Sequence, residues 1–263
     1  MGSATFYVSG LLLTRKLAMT KTPYQSQPGG AYRGIVGALR PLMMAATKRD
    51  WKGQQYLQRP EGIVVAMNHL SWFDPFVAGH FVNDAGRPAR FLGKIEVFKI
   101  PVVGKIITNA GMIPVARGTS AAVSSLHAAI EAVNAGECVV IYPEGTLTRD
   151  KNLWPMSAKN GVARIALATG APVIPAAQWG PQDVLPPYSK SFKLFPRKTM
   201  HVWAGPEVQL DDLRNKPLTG ELLTEATNRI MRAITDLLAD IRQEQAPASL
   251  LDRTTVTKPK ENS

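Results

Sequence analysis

"GIVVAMNHLSWFDPFVAGHFV", residues 62–82, changes periodicity halfway along. Residues 62–67 form a short apolar run opened by a glycine, which reads as a strand. From Pro75 to Val82 the pattern is helical. Asp74-Pro75 suits a helix start, with aspartate as the N-cap and proline in the first turn. Between strand and helix stand Asn68 and His69, in the position where an open α/β sheet places its ligands.

The alternation continues along the chain. Apolar runs at 89–94, 112–116, 137–142, 172–177 and 199–204 read as strands, and helical patterns lie between several of them, at 119–134 and 157–169. The second of these helices stops at Gly170, a residue suited to a left-handed cap. A long helix is expected at 219–242, where Leu223, Ala226, Ile230, Ile234, Leu237 and Ile241 recur at spacings of three and four. The expected fold is α/β, a mixed, largely parallel sheet flanked by helices. Three parts are expected: a basic amphipathic arm over 1–47, the α/β domain over 48–243, and a polar, disordered tail over 244–263.

The 263 residues are 45% hydrophobic, enough for one domain with a large core. The single cysteine, Cys138, sits in an apolar run and is expected to be a buried core thiol. Charge is uneven. Residues 1–60 carry nine Lys/Arg and one acid, a balance of +8 within a total of +11. Basic arms bind nucleic acid or anionic membrane. This arm adds "FYVSGLLLTRKLAM" and a helical stripe of Ile35, Leu39, Leu42, Met43 and Ala46, with Pro41 expected to kink or end that helix. A greasy stripe beside basic residues suits an interfacial membrane helix; the competing reading is a helix docked on the protein's own core. No stretch approaches the roughly 20 apolar residues of a membrane span. The aromatic–basic interleaving of a nucleic-acid binder is missing, so no nucleic-acid partner is expected.

The chain contains no GxSxG elbow, P-loop or GxGxxG, and one cysteine with four scattered histidines makes a poor metal set. His80, His127 and His201 read as structural or surface residues. His69 differs because of its position and its spacing to Asp74. On a continuous helix, residues five apart point about 140° away from each other, so the two side chains meet only if the chain turns between them. Asp74 is then either a helix cap or the carboxylate that fixes the imidazole tautomer. A second stretch, "YPEGTLTRD" (142–150), leaves a strand through Glu144, Gly145 and Thr146. A third, "GMIPVARG" (111–118), leads to Arg117. Lys94, Lys159 and Arg149 are further cations near strand ends or a helix start. Together such cations could surround a phosphate, which guanidinium groups grip bidentately.

The order N-H-x4-D, G-x-I-x3-R, P-E-G-T and then a V-I-P strand resembles the glycerolipid acyltransferases, specifically the 1-acyl-sn-glycerol-3-phosphate acyltransferases. The resemblance covers roughly residues 48–210. The phrasing from "YPEGTLTRD" through "WPM" to "TGAPVIP" is similar to actinobacterial members. Four blocks in this order form a highly specific signal, whereas H-x4-D alone is a weak one. The resemblance implies that His69 is the general base and Asp74 its orienting carboxylate. It implies that Arg117 binds the acceptor phosphate and that Glu144, Gly145 and Thr146 form the acceptor loop. Lys94 and Lys159 match basic residues near the motifs. Pro172, Val173, Ile174 and Pro175 match the fourth motif. The chain departs from many relatives at Leu147, where they carry arginine directly after the threonine; the nearest arginine here is Arg149, which could reach back.

The implied reaction is direct acyl transfer from a thioester, on coenzyme A or acyl carrier protein, to the free hydroxyl of a lysophosphatidic-acid-type lipid, giving phosphatidic acid. It calls for no cofactor and no metal. Partners would be the lipid acceptor, the acyl carrier and an anionic membrane surface, at the cell membrane, peripheral or monotopic, on its cytoplasmic side. Alternatives are another lysophospholipid, glycolipid or amino lipid acceptor, or a non-catalytic lipid-binding protein of the same fold.

Overall fold

The computed structural model describes residues 29–115 and 119–256. Seven strands form one sheet in the order β1-β7-β6-β2-β5-β3-β4. They are β1 (Thr47–Lys52), β2 (Ile63–Met67), β3 (Ala89–Lys94), β4 (Ile113–Val115), β5 (Cys138–Ile141), β6 (Val173–Trp179) and β7 (Lys198–Ala204). Neighbours pair in parallel except β6 and β7, so β1 and β7 run against the other five. The expected mixed, largely parallel sheet is present.

β2 is central and buried along its whole length. Val64 and Ala66 face one core layer, shared with buried residues of α5 (Thr119–Asn134), α6 (Gly161–Thr169) and α8 (Gly220–Arg242). Ile63, Val65 and Met67 face the other, against Val77, Ala78 and Phe81 of α2 (Asp74–Asp84). A strand covered on both faces has no use for polar alternation, which is why its sequence reads as continuous apolar residues. Gly170 caps α6 in the left-handed conformation, as its position suggested. Cys138 is buried, and burial pushes its thiol up to about 12.

Four expectations are corrected. β1, "TKRDWK", carries no strand-like apolar pattern and was assigned partly to the arm. It is an edge strand held by polar pairing: Asp50 Oδ2 lies 2.7 Å from His201 Nδ1 and accepts from Trp203 Nε1. Pro41 does not end the expected arm helix, since α1 (Gly30–Ala46) runs through it. The carbonyl four residues back belongs to exposed Gly37, where water can replace the missing N–H. The helix expected from 157 starts at 161 because Ser157 is engaged elsewhere, its N–H donating to Leu251 O. That bond, with those from Arg149 Nη1 to the carbonyls of Arg253 and Val256, ties the expected tail to the domain as far as residue 256. Its final residues, 257–263, and the arm's first 28 lie outside the described residues.

α1 is tied to the domain. Asp84, on α2, binds Arg40 of α1 at 3.0 Å, Arg49 of β1 at 2.9 Å and Trp51 Nε1 at 3.2 Å. Met43 and Ala46 are buried, while Leu42 and Met44 face outward. The stripe read from the sequence is therefore split between the core and the surface.

Candidate active site

His69 follows β2 directly, flanked by β5 and β6, at the point where the chain crosses from one side of β2 to the other. Such switch points form the ligand crevices of open α/β sheets. The chain turns tightly between His69 and Asp74. Ser71 O accepts from the Asp74 N–H, and Ser71 Oγ accepts from the Phe73 N–H. The turn brings His69 Nδ1 to 2.8 Å from Asp74 Oδ2. Asp74 Oδ2 also accepts from the main-chain N–H groups of Leu70 at 2.6 Å and Ser71 at 2.9 Å.

Asp74 is therefore not the N-cap. It is the first residue of α2, after Phe73, and its carboxylate turns back to the loop instead of to the helix amides. Burial pushes its carboxyl above the ordinary range, with the imidazole and the two amides pulling the other way. The pairing fixes Nδ1 as the nitrogen facing the carboxylate and leaves Nε2 for chemistry.

The rest of His69 is held just as closely. Its ring stacks on Tyr142, with centroids 4.2 Å apart and planes 14° apart, and stands edge-on to Trp72. Its main-chain N–H donates to Glu144 Oε1 at 3.0 Å, and its carbonyl accepts from the Thr148 N–H at 2.8 Å. Asn68, one residue earlier, is clamped to β6. It donates to Gln178 O and accepts from Gln178 N–H, and its carbonyl accepts from Gln178 Nε2.

Two expected substrate contacts have other partners. Glu144 is almost fully buried, and its second oxygen accepts from the Met156 N–H at 3.0 Å. With both oxygens on main-chain amides, Glu144 braces the His69 loop. Burial pushes its carboxyl up to about 8, against the pull of those two amides. Arg149 turns its guanidinium to the tail. Its Nη1 donates to the carbonyls of Arg253 and Val256. Leu147, where many relatives carry arginine, is completely buried.

Gly145 takes a left-handed turn, φ +70°, and is exposed; the Lys159 side chain lies 3.5 Å from where a Cβ would stand. The Lys159 N–H donates to Pro143 O, so Lys159 belongs to this loop, beside Thr146. Lys94 Nζ lies 5.5 Å from the centre of the Trp72 ring, on the His69 side. Lys94 pairs in register with Val115, the last residue of β4. Arg117 lies outside the described residues. Pro172 to Pro175 are buried at the start of β6. His80 is buried on α2 and His201 pairs with Asp50, both away from the dyad.

Sequence reading gave no role to Asn68, Tyr142, Met156 or Gln178. Three of them stood inside quoted motifs, next to residues that did receive one.

A histidine paired with a buried carboxylate at a sheet switch point is a geometry suited to general base catalysis in an α/β enzyme. Within that class the chain belongs to the acyltransferase family: residues 48–179 match the family described as Acyltransferase. A chloroplastic 1-acyl-sn-glycerol-3-phosphate acyltransferase of Brassica napus is 32% identical over 53% of this chain and 39% of its own length. The 1-acyl-sn-glycerol-3-phosphate acyltransferase of Bacillus subtilis is 26% identical over 79% of this chain and 98% of its own. This chain thus spans well under half of the first relative and nearly all of the second. Among solved structures, the 1-acyl-sn-glycerophosphate (LPA) acyltransferase PlsC from Thermotoga maritima shares the fold, with a TM-score of 0.62 at 21% identity over 82% of this chain and 81% of that one.

Proposed function

We propose that this acyltransferase moves a fatty acyl group from a thioester of coenzyme A or acyl carrier protein to the hydroxyl of a lysophosphatidic-acid-type lipid, giving phosphatidic acid. The observation that carries the reading is the 2.8 Å contact between His69 Nδ1 and Asp74 Oδ2 in a chain of this family. The names of the similar proteins supply the acceptor.

The acceptor alcohol gives its proton to His69 Nε2 as its oxygen bonds to the thioester carbonyl. Asp74 stabilises the imidazolium that forms. The carbon–sulfur bond then breaks, and the departing thiolate takes the proton back. A positioned base contributes roughly 10²–10⁴-fold, so orientation of the two substrates must provide much of the rest. A covalent acyl-enzyme is not needed. The Cys138 thiol is buried and pushed up to about 12, and the Ser71 hydroxyl donates to Leu185 O.

Lys94, Lys159 and Arg117 are the cations proposed for the acceptor phosphate. Gly145 and Thr146 would form the loop it passes. The reaction is placed at the cytoplasmic face of an anionic membrane, held peripherally or monotopically. Exposed apolar side chains support this: Trp72, Phe76, Val102, Phe192 and Phe195, with Lys99, Lys105, Lys190 and Lys193 also exposed. Among the described residues no helix is long and apolar enough to cross a membrane.

The test is an acyl-transfer assay with acyl-CoA or acyl carrier protein as donor and a panel of lysolipid acceptors. Highest turnover is expected with lysophosphatidic acid. A folded His69→Ala protein should lose about two to four orders of magnitude. Near-normal transfer by that variant would overturn the mechanism, and preference for a neutral or amino-lipid acceptor would overturn the substrate.

A further inference from the structure

We infer that the segment after the last helix is a strap that holds the His69 loop in working geometry, with Arg149 as the positioning residue that fastens it. This rests on the reading of His69 as the base.

The strap is joined to the 149–157 loop at several points. Leu251 forms a parallel bridge with Met156, and its carbonyl accepts from the Ser157 N–H at 2.8 Å. The Arg253 N–H donates to Ser157 Oγ at 3.0 Å. Arg149 Nη1 donates to Arg253 O at 3.2 Å and to Val256 O at 2.5 Å. Leu250 packs against the larger core cluster and anchors the start of the strap.

The 149–157 loop in turn meets the base through two short paths. Met156, which bridges to the strap, donates its N–H to Glu144 Oε2, and Glu144 Oε1 holds the His69 N–H. Thr148, next to Arg149, donates its N–H to His69 O. Both main-chain polar groups of His69 are thus held by the segment that the strap holds. Hydrogen bonds from a charged group are the stronger kind, and one guanidinium here joins two carbonyls of the tail. Both bonds leave from one nitrogen, Nη1, so a lysine ammonium at 149 could replace them in part.

A base displaced by an ångström can lose about a hundredfold in rate without any loss of affinity. The inference therefore predicts a turnover defect, whereas a phosphate-gripping Arg149 predicts an acceptor-affinity defect.

The experiment compares the full chain with Arg149→Ala, Arg149→Lys, a deletion of residues 249–263 and the combination of Arg149→Ala with the deletion. Transfer from acyl-CoA to lysophosphatidic acid gives kcat and the acceptor KM. Hydrogen exchange reports the amides of His69, Thr148 and Met156. Arg149→Ala and the deletion should each lower kcat about tenfold or more, with acceptor KM nearly unchanged. Their combination should be no worse than the deletion alone, since both break one linkage. Arg149→Lys should restore part of the rate, since one ammonium can donate to both carbonyls. The three amides should exchange faster in each variant.

A raised acceptor KM with unchanged kcat in Arg149→Ala would overturn the inference, and so would wild-type exchange at the three amides. If the deletion fails to fold, exchange in full-length Arg149→Ala decides alone. If His69→Ala retains activity the base assignment fails, while the exchange data still report whether the strap holds the loop.

Discussion

The rings of His69 and Tyr142 lie nearly parallel with their centroids 4.2 Å apart. The tyrosine therefore limits the tilt of the imidazole while Asp74 fixes its spin about the ring normal. An aromatic pair of this kind contributes about 0.5–1.5 kcal/mol beyond area burial. Tyr142→Phe keeps the stack and should turn over at close to the wild-type rate. Tyr142→Ala should lower kcat by about three- to tenfold. Steady-state kinetics of the two variants, with folding checked by circular dichroism, decide whether the stack matters; equal rates for both would exclude it.

Asp74 should affect both activity and stability. Asp74→Asn keeps the shape but puts an NH₂ where an acceptor is needed, and turnover should fall by roughly two orders of magnitude or more. Asp74→Ala additionally strands the N–H groups of Leu70 and Ser71. A buried donor left without an acceptor costs about 1–3 kcal/mol. Urea unfolding should therefore place Asp74→Ala clearly below the wild type. An unchanged midpoint would mean that these amides find other partners.

Glu144 should leave a mark on the pH dependence of stability. Its carboxyl is raised by burial from 4.5 in the unfolded chain to about 8 in the folded one. Between those values the native state binds more protons than the unfolded state, so stability falls as pH rises through this window. The slope is at most about 1.4 kcal/mol per pH unit for one group, and it flattens above the folded value. Glu144→Gln cannot titrate. Thermal midpoints of both proteins from pH 5 to pH 8 should show the wild type losing ground to the variant as pH rises; parallel curves would contradict the assignment.

Membrane binding should have an electrostatic and an apolar part. Co-sedimentation should be stronger with anionic than with neutral vesicles, and salt should weaken but not abolish it, with each basic residue near the surface contributing about 1 kcal/mol. Because α1 is pinned through Arg40 and Asp84, the informative deletion removes residues 1–28 and leaves that pin intact. Lower vesicle binding is expected after the deletion. Binding equal to that of the full chain would remove the arm from the account.

Much of the architecture could be read from residue pattern because the central strands are covered on both faces. β2, β5 and β6 are apolar runs, and α6 and α8 have clear stripes and caps. β1 escaped notice because its stability comes from Asp50 with His201 and Trp203, a pairing no local window contains. His69 and Asp74 were legible from position and spacing. The inward turn of Glu144 was not, since a carboxylate in a loop gives no sign of which way it faces. The partners of Arg149 were not legible either, since they lie more than a hundred residues away in a segment whose polar composition suggested disorder. Tail and loop are joined mainly by main-chain groups, which composition does not record.

The pairing of β1 with β7 also constrains when the molecule can be finished. Asp50 and His201 are separated by 151 positions, so the first strand to leave a ribosome waits for the last one before it has a neighbour. Contacts this distant in sequence form late and slowly. Until β7 has been made, β1 is an unpaired strand, so the outer rim of the sheet is the last part of it to close.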